Sequence, residues 1–363
     1  MQAKSPATRS GGGRPEPAAR DAVPFFNALL AAHGRAESVA GGSTPRFYRV
    51  AGHVLCLRFA GEALAAPMGA ALAHLACDPV PHPGMTVHLW DCGSTGQAPP
   101  RPPWSPEELR QAGVIRGFSN ARFHTVFQVG TGLFTMLDRT RGLAVGWVRD
   151  TRSLPLPERA APLRHLLNAW LVDHGLVFAH AGVVGRSDAG VLLVGAGGAG
   201  KSSTALACLG SPLLFAGDDY CLLDVTGNAR AHSLYNTAKT HWDDLSRLPF
   251  LAPMVENGDR PDDEKAVYFL HRHASAHLIA DVPLRAALVV RVSGQPDTTL
   301  APAERLSVLE ALAPGTVLLA PQWGARALTG LARLIQDLPA YELRAGTDPQ
   351  QIPLTILDLL DQR

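Results

Sequence analysis

The feature that most constrains this chain is a glycine-rich segment between an apolar run and an Ala- and Leu-rich run. Residues 190–194 are apolar and include β-branched side chains, which predicts a short buried strand. The next residues fit the pattern G-x-x-x-x-G-K-S/T, and residues 203–209 predict a helix. Strand, loop and helix follow the order of a phosphate-binding loop. The predicted binding residues are Gly195, Ala196, Gly197, Gly198, Ala199, Gly200, Lys201, Ser202 and Ser203.

Each residue type in this loop suits an anionic phosphate. Glycines let backbone N–H groups turn toward a phosphate and approach it closely, and the start of a helix adds unpaired N–H donors. Lys201 supplies a mobile positive charge, and Ser202 supplies a hydroxyl for Mg²⁺. The alternative is a plain Gly/Ala-rich turn, since the chain holds 35 glycines. The flanking strand and helix favour the phosphate loop.

Two polar positions flank this unit. His180 lies in a short apolar segment, residues 178–185, which leads through a turn into the strand before the loop. After the predicted helix, the apolar run 213–216 ends at a glycine that is followed by Asp218 and Asp219. Two adjacent carboxylates at a strand end suit one metal ligand and one proton acceptor.

The order of His180, the glycine-rich loop and the Asp218-Asp219 pair resembles that of the HPr serine kinase/phosphorylase superfamily. It is equally similar to shorter HPr-kinase-related proteins, including kinases that modify lasso peptides. The resemblance is firmest over residues 175–224. It implies that the histidine and the aspartates surround the transferred phosphate, with one aspartate acting as base toward a seryl hydroxyl. The chain lacks the second Gly-rich signature of the bifunctional enzymes, which leaves phosphorylase activity and HPr as substrate without support.

The basic residues are unevenly divided, because 29 of the 33 are arginine and only four are lysine. Lys201 belongs to the loop, and Lys4 lies near the N-terminus. The resemblance implies that Lys239 reaches the phosphates or the acceptor, whereas a solvated surface lysine is the alternative. Lys265 stands at the start of an apolar strand, where a solvated strand end is the simpler interpretation and contact with a phosphate or the substrate is the alternative.

The fold class that we predict is α/β: a P-loop kinase core of the HPr-kinase type, preceded by a smaller α+β N-terminal lobe. Residues 1–20 predict a disordered tail, residues 21–152 the N-terminal domain and residues 160–363 the kinase-like domain, with the boundary near Pro155-Leu156-Pro157. Within the N-terminal domain we predict a helix over 63–76 and strands, mostly in antiparallel hairpins, over 47–50, 53–59, 85–90, 121–129, 133–138 and 143–148. In the kinase-like domain we predict a helix over 243–248 and strands over 284–292 and 341–344.

Composition excludes several partners. A net charge of +1 provides no electrostatic basis for binding nucleic acid or an anionic membrane. The five scattered cysteines form no C-x-x-C pair, which predicts reduced thiols and a cytoplasmic protein. We find no apolar run of the roughly 18 residues that a membrane span needs.

The sequence therefore predicts an ATP- and Mg²⁺-dependent kinase that transfers the γ-phosphate to a hydroxyl, most simply a seryl hydroxyl, of a peptide or protein. Lys201 and Mg²⁺ would offset the charge of the transferring group, and Ser202 with one of Asp218 and Asp219 would hold the metal. His180 would line the γ-phosphate side. A small-molecule hydroxyl kinase and a nucleotide-dependent ATPase or switch without a phosphoacceptor are the alternatives, and a homo-oligomer is compatible with the resemblance.

Overall fold

The computed structural model describes residues 21–227, 229–259, 265–319 and 323–362. Within these residues the protein is a mixed α/β fold with two large sheets and one two-stranded sheet. The predicted tail, residues 1–20, lies outside the described residues, as do residues 260–264 of an acidic segment that precedes Lys265.

The first large sheet is built from residues 43–148. Its strands have the order β1-β2-β3-β6-β5-β4. The predicted strands of this region are confirmed, with ends that differ by a few residues. The elements are α1 (Val23–Val39), β1 (Ser43–Val50), β2 (His53–Ala60), α2 (Ala65–Gly69), β3 (Met85–Asp91), α3 (Cys92–Thr95), β4 (Phe123–Gln128), β5 (Leu133–Asp138) and β6 (Leu143–Val148).

Local sequence explains two pairings in this sheet. Ala51 and Gly52 join β1 to β2 with φ values of 46° and 84°, which is the left-handed geometry of a two-residue hairpin turn. In contrast, β2 pairs in parallel with β3 because α2 and a 3₁₀ helix (Ala70–Leu75) cross between them. The helix predicted over 63–76 is thus confirmed only in part, since it divides into an α-helical and a 3₁₀ segment.

The second large sheet contains nine strands, seven of them in the order β10-β8-β9-β15-β12-β11-β7, and β17 joins β15 to β16. The elements of this half are α4 (Leu156–Ala160), α5 (Arg164–Leu171), β7 (Leu176–Ala179), β8 (Gly182–Gly185), β9 (Gly190–Val194), α6 (Lys201–Ala207), β10 (Leu214–Gly217), β11 (Cys221–Asp224), β12 (Arg230–Ser233), β13 (Thr237–Thr240), β14 (Ala266–Phe269), β15 (Asp281–Val292), β16 (Thr299–Pro302), α7 (Arg305–Leu319), α8 (Gly324–Gln336), β17 (Ala340–Ala345) and α9 (Gln351–Asp361).

Three parallel strands of this sheet end at one edge. Strand β15 pairs in parallel with β9 on one side and with β17 on the other. Their last residues, Val194, Val292 and Ala345, therefore point the chain toward the same edge, and the glycine-rich loop follows β9 there. The carboxyl edge of parallel strands is the usual place for a ligand in an α/β sheet.

The two halves of the chain share a hydrophobic cluster that combines side chains of the first sheet with side chains of β7, β11 and β14. Tyr235 is fully buried there, and its hydroxyl donates to the backbone carbonyl of Pro162 at 2.7 Å. Its neighbour Asn236 donates from Nδ2 to the carbonyls of Ala70 and Ala71, each at 2.9 Å. The predicted domain boundary at residues 155–157 stays a prediction.

Within the described part of the chain, none of the helices combines the length and the apolar character that crossing a bilayer requires.

We expect Tyr235→Phe to lower the free energy of unfolding by about 1–3 kcal/mol, because the buried carbonyl of Pro162 would lose its donor. Denaturant unfolding measures this loss. Tyr48→Phe is the matched control, since Tyr48 is also buried but the described residues supply no hydrogen bond to its hydroxyl. Equal losses in the two variants would contradict the assigned role of the Tyr235 hydroxyl.

Candidate active site

The glycine-rich loop leaves β9 at Val194 and leads into α6. Gly198 and Gly200 adopt φ values of 79° and 94°, a region that residues with a Cβ avoid. A Cβ at Gly200 would also lie 2.9 Å from Cγ2 of Val292 on the neighbouring strand β15. This position needs glycine for both its backbone conformation and its packing. The helix begins at Lys201, two residues before the predicted start, and a 3₁₀ turn (Cys208–Gly210) completes the predicted span.

Lys201 is buried, and its ammonium folds back over the start of the loop. Its Nζ donates to the carbonyls of Gly195 at 2.8 Å and Ala196 at 3.3 Å. Burial lowers the pKa of Lys201, and the nearby carboxylates of Asp218 and Asp219 act in the opposite direction. The ammonium is thus held at the loop by neutral acceptors that an incoming anion can replace.

Asp218 follows β10 and is almost completely buried, with an exposed fraction of 2%. Its Oδ1 accepts a hydrogen bond from the Ser202 hydroxyl at 3.0 Å, whereas its Oδ2 is buried without a hydrogen-bond partner among the described residues. Burial, together with the negative charge of Asp219, raises the pKa of Asp218 to about 7. An orphaned carboxylate oxygen beside a hydroxyl is a site prepared for a cation or a proton.

Asp219 turns the chain sharply and enters an ion pair. Its φ of 61° lies in the left-handed region, which costs a non-glycine residue about 1 kcal/mol. Its Oδ2 lies 3.6 Å from Nζ of Lys239 on β13, and both side chains are partly exposed. Backbone strain of this kind is tolerated where surrounding contacts hold the residue, as they do in many functional sites.

The residues present fit a Mg²⁺ ion. Ser202, Asp218 and Asp219 supply oxygen donors, which Mg²⁺ prefers, and the unpaired Oδ2 of Asp218 is the strongest indication of a missing partner. Among the described residues we find no group of three or more His, Cys, Asp and Glu side chains arranged to hold a metal. Two carboxylates and a hydroxyl nevertheless suffice for Mg²⁺, which usually keeps several waters and shares phosphate oxygens.

His180 directly follows β7 and belongs to the same site. It precedes the glycine-rich loop in the sequence, whereas the two aspartates follow the loop. Its backbone N–H donates to Oγ1 of Thr316 at 3.3 Å. Burial lowers the pKa of the His180 ring, although the Asp219 carboxylate raises it. The ring also packs against Gly315 in α7, where a Cβ would come within 3.0 Å of the His180 side chain.

A cleft of about 450 Å³ joins these residues. Ten of the predicted site residues line it: His180, Gly197, Gly198, Ala199, Gly200, Lys201, Ser202, Ser203, Asp219 and Lys239. Asp218 lies behind the wall, bonded to Ser202, and the carbonyls of Gly195 and Ala196 hold Lys201. The structure therefore brings together every residue that the sequence nominated, although these residues come from four separate segments of the chain.

Some residues of the cleft were not found from the sequence. Gly315 and Thr316 contact His180 from a helix about 135 residues away, and no local pattern marks such a contact. Asp244 lines the cleft and accepts a hydrogen bond from Ser203 Oγ at 2.8 Å. The helix predicted over 243–248 is a 3₁₀ helix (Trp242–Ser246), and its adjacent acidic residues were the available signal for Asp244.

The fold and the cleft define a mixed α/β protein in which a glycine-rich loop, lysines and carboxylates meet at the carboxyl edge of the larger sheet. No protein-family model and no curated protein matches the sequence. Among solved structures the chain is similar to the Hpr(Ser) kinase/phosphatase from Coxiella burnetii, with 10% identity and a TM-score of 0.29. The overlap covers 50% of this chain and 95% of that chain. At this TM-score the similarity supports no statement about function.

We expect Asp218→Asn to stabilise the metal-free protein at pH 8 by at least about 1 kcal/mol and to have little effect near pH 4. The pKa of Asp218 is raised above 3.8, so the folded state binds this proton more tightly than the unfolded chain. The resulting stability is complete below about pH 4 and is lost as the pH rises toward 7. Urea unfolding with a chelator at both pH values measures it. Asp188→Asn is the control, because Asp188 is exposed at the other end of β9; a gap that does not change with pH would contradict the assignment.

We expect Gly315→Ala to displace the His180 ring, because the new Cβ would lie 3.0 Å from His180 Cβ and Cδ2. The NMR signals of the His180 ring, assigned with a His180→Gln variant, should shift, while the global fold is retained because alanine favours a helix. Gly130→Ala serves as the control, since a Cβ there meets nothing within 4 Å. Unchanged His180 signals would show that α7 does not constrain the ring.

Proposed function

We propose that the protein is an ATP-dependent kinase that transfers the γ-phosphate to a hydroxyl, most simply a seryl hydroxyl, of a peptide or protein. One contact in the site supports this proposal most strongly. The Ser202 hydroxyl at the end of the glycine-rich loop contacts Asp218, so the residues suited to phosphate binding and those suited to hydroxyl activation occupy one cleft.

The glycine-rich loop would bind the phosphates of ATP as a P-loop. Gly197, Gly198 and Gly200 line the cleft, and because they lack side chains their backbone N–H groups could approach a phosphate closely. The Lys201 ammonium would exchange the carbonyls of Gly195 and Ala196 for phosphate oxygens, which are stronger acceptors because they are charged. A cleft of about 450 Å³ is within the size range of nucleotide and cofactor sites.

Ser202 and Asp218 would hold Mg²⁺ beside the phosphates, which leaves the Asp219 carboxylate for another role. When bound, this ion neutralises part of the phosphate charge and orients the outer phosphates. Its binding would also remove the proton that burial keeps on Asp218, since the unpaired Oδ2 would gain a cationic partner.

Asp219 is the better placed of the two aspartates to act as the base. A base must come within hydrogen-bond reach of the acceptor, and Asp219 lines the cleft, whereas Asp218 is buried behind Ser202. Lys239 would hold the Asp219 carboxylate in position. The acceptor oxygen attacks the γ-phosphorus, its proton passes to Asp219, and the bond between the γ-phosphorus and the β–γ bridging oxygen breaks to release ADP.

His180 would hydrogen-bond to a γ-phosphate oxygen. Burial favours its neutral form, in which one ring nitrogen is a donor. Thr316 holds the backbone of His180, and Gly315 packs against its side chain. The ring N–H donor would therefore be oriented before the nucleotide binds.

A cytoplasmic setting is part of the proposal. All five cysteines are free thiols, and Cys56, Cys208 and Cys221 are buried, which suits a reducing compartment. The predicted absence of nucleic-acid and membrane partners and the predicted homo-oligomer stay predictions.

The proposal is tested by transfer of a labelled γ-phosphate to short seryl peptides, with alanine-substituted peptides and free serine in parallel. We expect label on the seryl peptides only, and a rate about 10²–10⁴-fold lower for Asp219→Asn, because general-base catalysis contributes about that much. Asp218→Asn should also be strongly impaired, while Asp188→Asn should match the wild type. Label on free serine would indicate a small-molecule kinase, and ATP hydrolysis without any labelled product would indicate an ATPase or switch.

Binding is tested separately. Lys201→Ala should weaken Mg·ATP binding by about 10- to 150-fold in titration calorimetry, since a hydrogen bond to a charged group is lost. Unchanged affinity would refute the phosphate-loop assignment.

A further inference from the structure

The lysines of this protein converge on one place. Of the four lysines in the sequence, Lys201, Lys239 and Lys265 belong to the described residues, and all three line the cleft. The chain has 29 arginines, yet Arg247 is the one arginine that the described wall of the cleft contains. A compact ammonium with three rotatable donors differs from a planar guanidinium, so this concentration of lysine indicates a shared chemical task.

The two-stranded sheet β13–β14 presents two of these lysines. Strand β13 pairs antiparallel with β14, with Lys239 opposite Val267 and Thr240 opposite Ala266. The next pair in this antiparallel register is His241 and Lys265. Side chains two positions apart on a strand share a face, so Lys239, His241 and Lys265 lie on the same face of the hairpin. All three line the cleft, as does Thr240, which lies between Lys239 and His241.

The three ammonium groups differ in their present partners. Lys201 donates to loop carbonyls, and Lys239 pairs with Asp219. Lys265 is partly buried, and no carboxylate of the described residues lies within the 4.0 Å of an ion pair with it. Lys201 and Lys265 line the same cleft, so an anion bound there would offset two like charges.

We propose that Lys265 binds the outermost phosphate of the nucleotide, and that the β13–β14 hairpin is a second phosphate-binding element facing the glycine-rich loop. The inference rests on the proposed function, because it needs a nucleotide in the cleft. The outermost phosphate is the fitting partner for two reasons. Lys265 shares its face with Lys239, whose partner Asp219 marks the reacting end of the site. It also lines the same cleft as Lys201, the residue that serves the outer phosphates in a loop of this pattern.

The experiment compares Mg·ATP and Mg·ADP affinity by titration calorimetry in the full chain. We expect Lys265→Gln to weaken Mg·ATP by about ten- to a hundredfold and Mg·ADP by less than about threefold, because ADP lacks the phosphate that Lys265 contacts. Lys265→Met, which keeps the apolar stem, should behave as Lys265→Gln does. Lys265→Arg keeps the charge and should retain most of the preference for ATP. Arg285→Gln removes the same charge from an exposed position seven residues before Val292, and should change neither affinity.

The outcomes distinguish failure of the proposed kinase function from failure of the role proposed for Lys265. If the wild type does not bind Mg·ATP, the proposed function fails and the role of Lys265 fails with it. If the wild type binds Mg·ATP but both Lys265→Gln and Lys265→Met bind ATP normally, or lose ATP and ADP equally, the role of Lys265 is wrong while the proposed function stands. Selective loss of ATP affinity in folded variants, with melting temperatures equal to that of the wild type, supports it.

Discussion

The hydrogen bond from the Ser202 hydroxyl to Asp218 is the contact on which the rest of the site depends. It joins the glycine-rich loop after β9 to the acidic turn after β10, two segments that are separated by α6. Only one oxygen of the buried Asp218 carboxylate is satisfied in this way. A buried carboxylate with an unpaired oxygen is costly, so it must keep a proton or receive a cation. The raised pKa of Asp218 and the suitability of the pair for Mg²⁺ are two consequences of this one arrangement.

The sheet explains how so many unfavourable features can coexist in a small volume. Asp219 and Gly200 have left-handed backbones, Lys201 is buried, and three ammonium groups share one cleft. Each of these features costs free energy, and each is held by elements whose own packing is apolar. Strands β9 and β15 are almost entirely buried over the stretch in which they pair. A rigid edge of this kind keeps donors in place before a ligand arrives, which is the requirement for electrostatic stabilisation of a transferring group.

Much of the fold could be predicted from local sequence, and the reason is periodicity. Apolar and alternating runs set the strands β1 to β6, β9, β15 and β17, since a strand buries residues in a pattern that a short window reveals. The weaker results have a common physical cause. Residues 63–76 and 242–246 form wholly or partly 3₁₀ helices, because their backbone must follow neighbouring elements that a window of sequence does not contain. The parallel pairing of β2 with β3 and of β3 with β6 likewise follows from the path of the intervening chain.

The sequence by itself determined the chemistry that the site can offer: a glycine-rich turn between a strand and a helix, a lysine and a serine at its end, two adjacent aspartates, and one histidine. These are properties of residue type and short spacing, which is why they were visible without coordinates. Only the tertiary structure decided their neighbours. It placed Gly315 and Thr316 against His180 and Asp244 against Ser203, through contacts between segments that are distant in the chain, and it placed Lys265 in the same cleft as Lys201. Such contacts arise from the packing of whole elements at a shared sheet edge, and no local pattern of residues encodes them.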